Sequence, residues 1–183
     1  KKKIIITFHT MILEKNIEKK QFKELLDAIN GLDNKTNIIF TKTNSDLNGK
    51  VINQMINNFT KKYPKKSIGF SSLGQLRYLS ALKHVDVLIG NSSSGLTEAP
   101  SFKKATINIG ERQKGRIKAK SIINCLPFKK DIKVSIKKVY SNNFQKLLND
   151  VKNPYENGIS SKKIVKILKK IQIKNILKKN FHD

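Results

Sequence analysis

The chain has 183 residues, one cysteine, and 38 lysines and arginines against 13 aspartates and glutamates, for a net charge of +25 at neutral pH. That length suffices for one domain with its own core, the lone Cys125 excludes an internal disulfide and fits a reducing, cytoplasmic setting, and no run nears the roughly 18 apolar residues of a membrane span. The charge raises nucleic-acid binding as a class, but only Arg77, Arg112 and Arg116 are arginines, and lysine is spread over the whole length with abundant Asn and Ile, a pattern of codon bias rather than of a surface that reads phosphates or bases.

The start, Lys1-Lys2-Lys3-Ile4-Ile5-Ile6-Thr7, lacks a methionine and the pattern of a signal peptide; it reads as a strand entered directly, so the chain is expected to be a piece of a longer protein. In chain order, the patterning predicts a strand over 4–8 and a helix over 17–32, with Phe22, Leu25, Leu26 and Ile29 at helical spacing. A strand over 37–41 and a helix over 46–59 follow, the helix placing Val51, Ile52, Met55, Ile56 and Phe59 on one face. Next come a short strand over 67–71, a helix over 73–82 through Leu76, Leu79 and Leu82, a strand over 85–89, a short helix over 96–102 and strands over 105–109 and 121–125. Helices over 131–139, 144–151 and 160–177 complete the reading. Alternation of this kind predicts an α/β fold, a Rossmann-like parallel sheet with right-handed crossovers and helices on both faces. Ligands bind such sheets at the carboxyl ends of the strands, which here collects His9, Thr43-Asn44, Ser71-Ser72 and the run from Asn91 to Gly95.

Two motifs carry chemistry. The first is Val87-Leu88-Ile89-Gly90-Asn91-Ser92-Ser93-Ser94-Gly95-Leu96-Thr97-Glu98-Ala99-Pro100: a buried strand, a tight polar turn and a helix start. Serines there are expected to cap the helix, whose first amides would then face an anion, with Glu98 placed to accept hydrogen bonds from hydroxyls beside it. The second is Thr106-Ile107-Asn108-Ile109-Gly110-Glu111-Arg112-Gln113-Lys114-Gly115-Arg116, a strand running into a loop that holds two of the three arginines. Arginine suits a forked contact with diphosphate or carboxylate. No cysteine or histidine spacing of the metal-binding type occurs, and no cofactor is expected.

With both motifs in view, the chain resembles the carboxyl-terminal half of UDP-N-acetylglucosamine 2-epimerases, of the hydrolysing type used in sialic and nonulosonic acid synthesis. The matching stretches are Gly90-Asn91-Ser92-Ser93-Ser94-Gly95 with Glu98-Ala99-Pro100, and Asn108-Ile109-Gly110 with Arg112-Gln113-Lys114-Gly115-Arg116. Leu73-Gly74 with Arg77-Tyr78-Leu79, Asn44-Ser45-Asp46, Thr7-Phe8-His9 and Asn153-Pro154-Tyr155 are similar too. The resemblance implies a single nucleotide-binding domain over 1–183, one half of a two-domain glycosyltransferase-B-like architecture. Its partners would be a UDP-sugar and an amino-terminal domain of the same protein, with room for a homo-oligomer, no specific nucleic acid and no membrane.

The resemblance also implies substrate-binding roles: Ser92 and Ser93 at the phosphates, with Gly95 in the same turn, Glu98 at the ribose hydroxyls, Arg112 at the uridine or diphosphate, and His9 and Asn44 along the cleft. Arg116 braces the loop in this reading. The acid/base carboxylates are expected in the other domain, leaving His9 as the candidate catalytic group of this chain. The chain departs from the family at Thr10, Met11 and Ile12 after His9, at Thr43 and at Glu156. His84 and His182 receive no role. The rival readings are a nucleotide-sugar glycosyltransferase domain, a basic polyanion-binding domain and an inactive gene fragment.

Overall fold

The computed structural model describes residues 1–10, 17–33, 35–43, 47–156, 158 and 160–171. Its centre is a six-stranded, fully parallel sheet built from β1 (Lys2–Thr7), β2 (Thr36–Thr41), β3 (Ser67–Phe70), β4 (Val87–Gly90), β5 (Ala105–Ile109) and β6 (Ile122–Cys125), in the order β3-β2-β1-β4-β5-β6. The order reverses between β1 and β4, which leaves a crevice at their carboxyl ends, the position where doubly wound sheets take ligands.

Alternating side chains explain why both faces are covered. Ile4, Ile6, Ile38, Phe40, Val87, Ile89 and Ile107 point to one face, where α1 (Ile17–Asn30), α2 (Leu47–Lys62), α5 (Lys129–Val139) and α6 (Asn142–Asn149) supply Phe22, Leu25, Ile29, Ile52, Ile56, Ile132, Ile136 and Phe144. Ile5 and Leu88 point the other way, onto α3 (Gly74–His84) and the segment after β4, through Leu82, Val85 and Ala99. Strands buried on both sides need such unbroken apolar runs.

Three expectations are corrected. Leu76 does not belong to the buried face of α3; it is 81% exposed, and Tyr78 and Leu79 pack inward with Leu82 instead. Steps of three residues drift by about 60° each on a helix of 3.6 residues per turn, so Leu76 has swung well away from Leu82. The short helix expected over 96–102 is two pieces, α4 (Ser94–Thr97) and a 3-10 turn (Ala99–Phe102), because Pro100 has no N–H to continue a helical ladder. Ser93, the residue before α4, is itself in helical conformation and makes no side-chain cap bond; Ser92 Oγ takes the Ser94 N–H instead, at 3.3 Å, and the next amides bond to turn carbonyls rather than facing outward as expected. The final helix, α7, spans Ser160–Leu168; residues 172–183 of the longer helix expected there lie outside the described residues.

Candidate functional site

The sheet crevice is organised by Asn91, directly after β4. Its carboxamide clamps the backbone of His9, two residues after the end of β1: the His9 N–H donates to Oδ1 at 2.7 Å and Nδ2 donates to the His9 carbonyl at 2.8 Å. Its own carbonyl accepts from Arg112 Nη1 at 3.1 Å and from Gln113 Nε2 at 2.8 Å. One residue therefore ties together the ends of β1, β4 and β5, and it is only 3% exposed. A second carboxamide repeats the device on the neighbouring strand. Asn53 of α2 accepts from the Thr43 N–H at 3.0 Å and donates to the Thr43 carbonyl at 3.1 Å, fixing the chain after β2.

The close approach of β1 and β4 explains Gly90. Its φ is +145°, and a Cβ there would collide with the Thr7 carbonyl, so only glycine serves. Gly95 is also a packing residue. A Cβ on it would press against Thr106 Cγ2 of β5, whose Oγ1 donates to the Gly95 carbonyl at 2.8 Å.

Thr7, His9, Thr41, Ser71, Ser72, Tyr78, Ser92, Ser94 and Glu98 border a cleft of about 530 Å³. The Tyr78 hydroxyl is 2.5 Å from Ser94 Oγ, and burial pushes its pKa above the usual tyrosine value. It therefore stays protonated and remains a hydrogen-bonding hydroxyl. The Ser94 N–H donates to Ser92 Oγ at 3.3 Å, Gly95 N–H to the Ser92 carbonyl at 3.2 Å and Leu96 N–H to the Ser93 carbonyl at 2.8 Å. The amides of Ser94, Gly95 and Leu96 are thus spent inside the turn rather than presented at a helix start.

His9 is half-buried, with Nδ1 3.5 Å from Thr43 Oγ1. Burial, and then the positive charge of Arg112, lower its pKa below the ordinary histidine value of 6.5, so the ring is neutral at physiological pH. Burial, and then the charge of Arg116, lower the Arg112 pKa below the ordinary arginine value. The two guanidiniums place positive charge beside a neutral imidazole, which favours an anion there. Among the described residues no group of three histidine, cysteine or acidic side chains is placed to hold a metal, and no helix is long and apolar enough to cross a membrane.

The structure thus brings His9, Ser92 and Glu98 into one cleft, with Arg112 across the Asn91 divider. Ser93 contributes its carbonyl to Leu96, to the Thr97 N–H and to Thr97 Oγ1, and Gly95 lies buried behind it. Asn44 and His182 lie outside the described residues. Sequence reasoning named Asn91 and Tyr78 only as parts of motifs; nothing in their spacing announces that one clamps the histidine and the other meets Ser94. At the rear, the Asn153 carboxamide donates to the Thr97 carbonyl at 2.8 Å and to Ser101 Oγ at 2.6 Å, which pins the segment before α7 against the serine turn.

The family model for UDP-N-acetylglucosamine 2-epimerase matches residues 1–169. The chain belongs to that family. Its relatives include the GDP/UDP-N,N'-diacetylbacillosamine 2-epimerase (hydrolyzing) of Campylobacter jejuni, 41% identical over 180 residues that cover 98% of this chain and 46% of that protein. Another is polysialic acid biosynthesis protein P7 of Escherichia coli, 36% identical over 186 residues, covering 100% of this chain and 46% of the relative. The chain spans about half the length of the curated relatives it matches. Among solved structures, the UDP-GlcNAc 2-epimerase of Methanocaldococcus jannaschii in complex with UDP-GlcNAc and UDP superposes with a TM-score of 0.69 at 20% identity, over 92% of this chain and 45% of that one. That likeness is one of fold.

Proposed function

We propose that this chain is the UDP-binding, carboxyl-terminal domain of a hydrolysing UDP-N-acetylglucosamine 2-epimerase acting on a UDP-sugar in the cytoplasm. The observation that carries the reading is the gathering of His9, Ser92 and Glu98 in one cleft at the sheet crevice, with Arg112 alongside. Glu98 accepts hydrogen bonds from the ribose diol. Ser92 and Ser93 hold phosphate, and Arg112 neutralises the diphosphate as the glycosidic C1–O bond breaks, which is where leaving-group charge develops. Neutral His9 sits at the sugar end of the cleft as a hydrogen-bonding group able to take up a proton.

The overall reaction is UDP-sugar plus water giving UDP and the 2-epimeric sugar of the N-acetylmannosamine type. Loss of the C2 proton and of UDP forms a glycal; water then adds its hydroxyl at C1 and a proton at C2 from the opposite face. The group that removes the C2 proton belongs to an amino-terminal domain. The exposed apolar side chains Ile164, Val165, Ile167 and Leu168 of α7, none of them packed against this domain, support the presence of such a partner.

Calorimetry with UDP and with inorganic phosphate tests the reading through Glu98→Gln. A charge-assisted hydrogen bond is worth roughly 1.5–3 kcal/mol, so UDP affinity should fall about ten- to a hundredfold while phosphate affinity stays level. Equal weakening of both ligands would remove Glu98 from the ribose and overturn the placement of the nucleotide.

A further inference from the structure

The last residues of β1 and β2, Thr7 and Thr41, sit side by side in the sheet register, after Ile6 and Phe40. Both are buried, and a hydroxyl in such a place is costly unless it is bonded. These two are bonded: Thr41 Oγ1 donates to Thr7 Oγ1 at 2.8 Å, with the Ile6 carbonyl 3.4 Å away. Thr7 in turn bonds the Tyr78 hydroxyl, which meets Ser94 Oγ at 2.5 Å. Hydroxyls from β2, β1, α3 and α4 therefore form one chain along the wall of the cleft that all four residues border.

A hydroxyl has a single proton to donate, so the chain has a direction. Thr41 gives its proton to Thr7, Thr7 gives its own to Tyr78 and Tyr78 gives its own to Ser94, which leaves the Ser94 proton for a partner outside the chain. No acid or base stands among these bonds, so the chain orients a hydroxyl and carries no proton across. Without Tyr78, the Ser94 hydroxyl could turn back onto a nearby backbone carbonyl, as serines in helical turns do. The turn itself shows where the spare proton is needed. The amides of Ser94, Gly95 and Leu96 are spent on Ser92 and Ser93, so holding an anion on this wall falls to hydroxyls. Ser94 lies one helical turn before Glu98, whose N–H donates to the Ser94 carbonyl at 3.0 Å, and both side chains border the cleft. With a ribose diol on Glu98, Ser94 faces the 5′-phosphate, one sugar ring away. Resting on the proposed UDP site, we propose that Ser94 binds the phosphate next to the ribose and that Tyr78 is a positioning residue, which turns the Ser94 hydroxyl outward at the end of the chain from Thr41 and Thr7.

Calorimetry on the full-length protein with UDP, UMP and uridine tests the proposal, with Glu98→Gln as the marker of the nucleotide site. Ser94→Ala should weaken UDP and UMP alike, by about tenfold or more, as loss of a bond to a charged group implies, and leave uridine unchanged. Ser94→Thr, which keeps the hydroxyl, should recover most of that loss. Tyr78→Phe keeps the ring and should weaken UDP by roughly three- to tenfold, yet add nothing in the Ser94→Ala background, a coupling that a double-mutant cycle reads directly. A tyrosine that only supports the fold would weaken uridine too and act equally in both backgrounds; either result overturns the positioning role. Weakening of UDP without UMP in Ser94→Ala overturns the placement beside the ribose. Full UDP affinity in Ser94→Ala, while Glu98→Gln still weakens UDP, overturns the phosphate contact and leaves the nucleotide site standing. A parent with no affinity for UDP refutes the proposed function itself.

Discussion

Replacing Asn91 should reveal how much of the crevice depends on one carboxamide. Asn91→Ala removes both bonds to the His9 backbone, at 2.7 and 2.8 Å, and leaves a partly buried N–H and carbonyl without partners. At roughly 0.5–1.5 kcal/mol for each net hydrogen bond, plus the space left by the side chain, the expected loss is about 2–3 kcal/mol of unfolding free energy. Asn91→Asp keeps the acceptor for the His9 N–H but sets a second oxygen against the His9 carbonyl, so it should be no more stable than the alanine variant despite its shape. Urea denaturation followed by circular dichroism measures both, and UDP affinity should fall in parallel as His9 loses its position. If Asn91→Ala stays within about 0.5 kcal/mol of the parent, the range of an ordinary surface substitution, the clamp is incidental and the account of the crevice fails.

Three further outcomes follow from the same geometry. Gly90→Ala should cost at least the roughly 3 kcal/mol at the upper end of overpacking, read as loss of a cooperative melt, since its Cβ meets backbone and not a yielding side chain. Arg112→Lys should fold normally, because only one bond to the Asn91 carbonyl is lost, but bind UDP about tenfold more weakly, or about 1.4 kcal/mol, since an ammonium cannot contact that carbonyl and a diphosphate together; the exposed Arg77→Lys is the neutral control. The His9 ring, followed by NMR, should titrate below 6.5 because its folded-state pKa is lowered. Keeping it neutral stabilises the fold fully above the unfolded value of 6.5, and that contribution is lost as pH falls through the folded value; His9→Gln should flatten this acid limb, and bound UDP should move the ring's titration upward.

The strands were legible because burial on both faces forces continuous β-branched runs such as Ile4-Ile5-Ile6 and Val87-Leu88-Ile89, which few other structures use. Boundaries moved by one to three residues, as at β4, which begins at Val87 and not at Val85. Leu76 misled because leucine at spacing three is common on helices whatever face it occupies. Among the three serines the sequence could not say which meets the helix start: Ser92 Oγ takes the Ser94 N–H, while Ser94 Oγ turns to the Tyr78 hydroxyl of another element. Asn91 could be quoted but not interpreted: its partner is 82 positions away, and the adjacency of β1 and β4 that joins them is a property of sheet order, not of chain order.

The asparagines bring composition and placement into opposition. A chain rich in lysine, isoleucine and asparagine has carboxamides everywhere for reasons that concern its coding sequence, so abundance argues nothing. Placement does. Asn53 clamps Thr43 with two bonds, Asn91 clamps His9 with two, and Asn153 donates to Thr97 and Ser101 while accepting from the Tyr155 N–H at 3.0 Å. Each uses donor and acceptor together, which an aspartate or a leucine cannot do. Asn108 and Gln113, each only 2% exposed, use only their donors, to Asn124 Oδ1 and to the Asn91 carbonyl. The fully spent carboxamides are the ones that pin backbone at the ends of strands and turns, a role that abundance in the sequence could not announce.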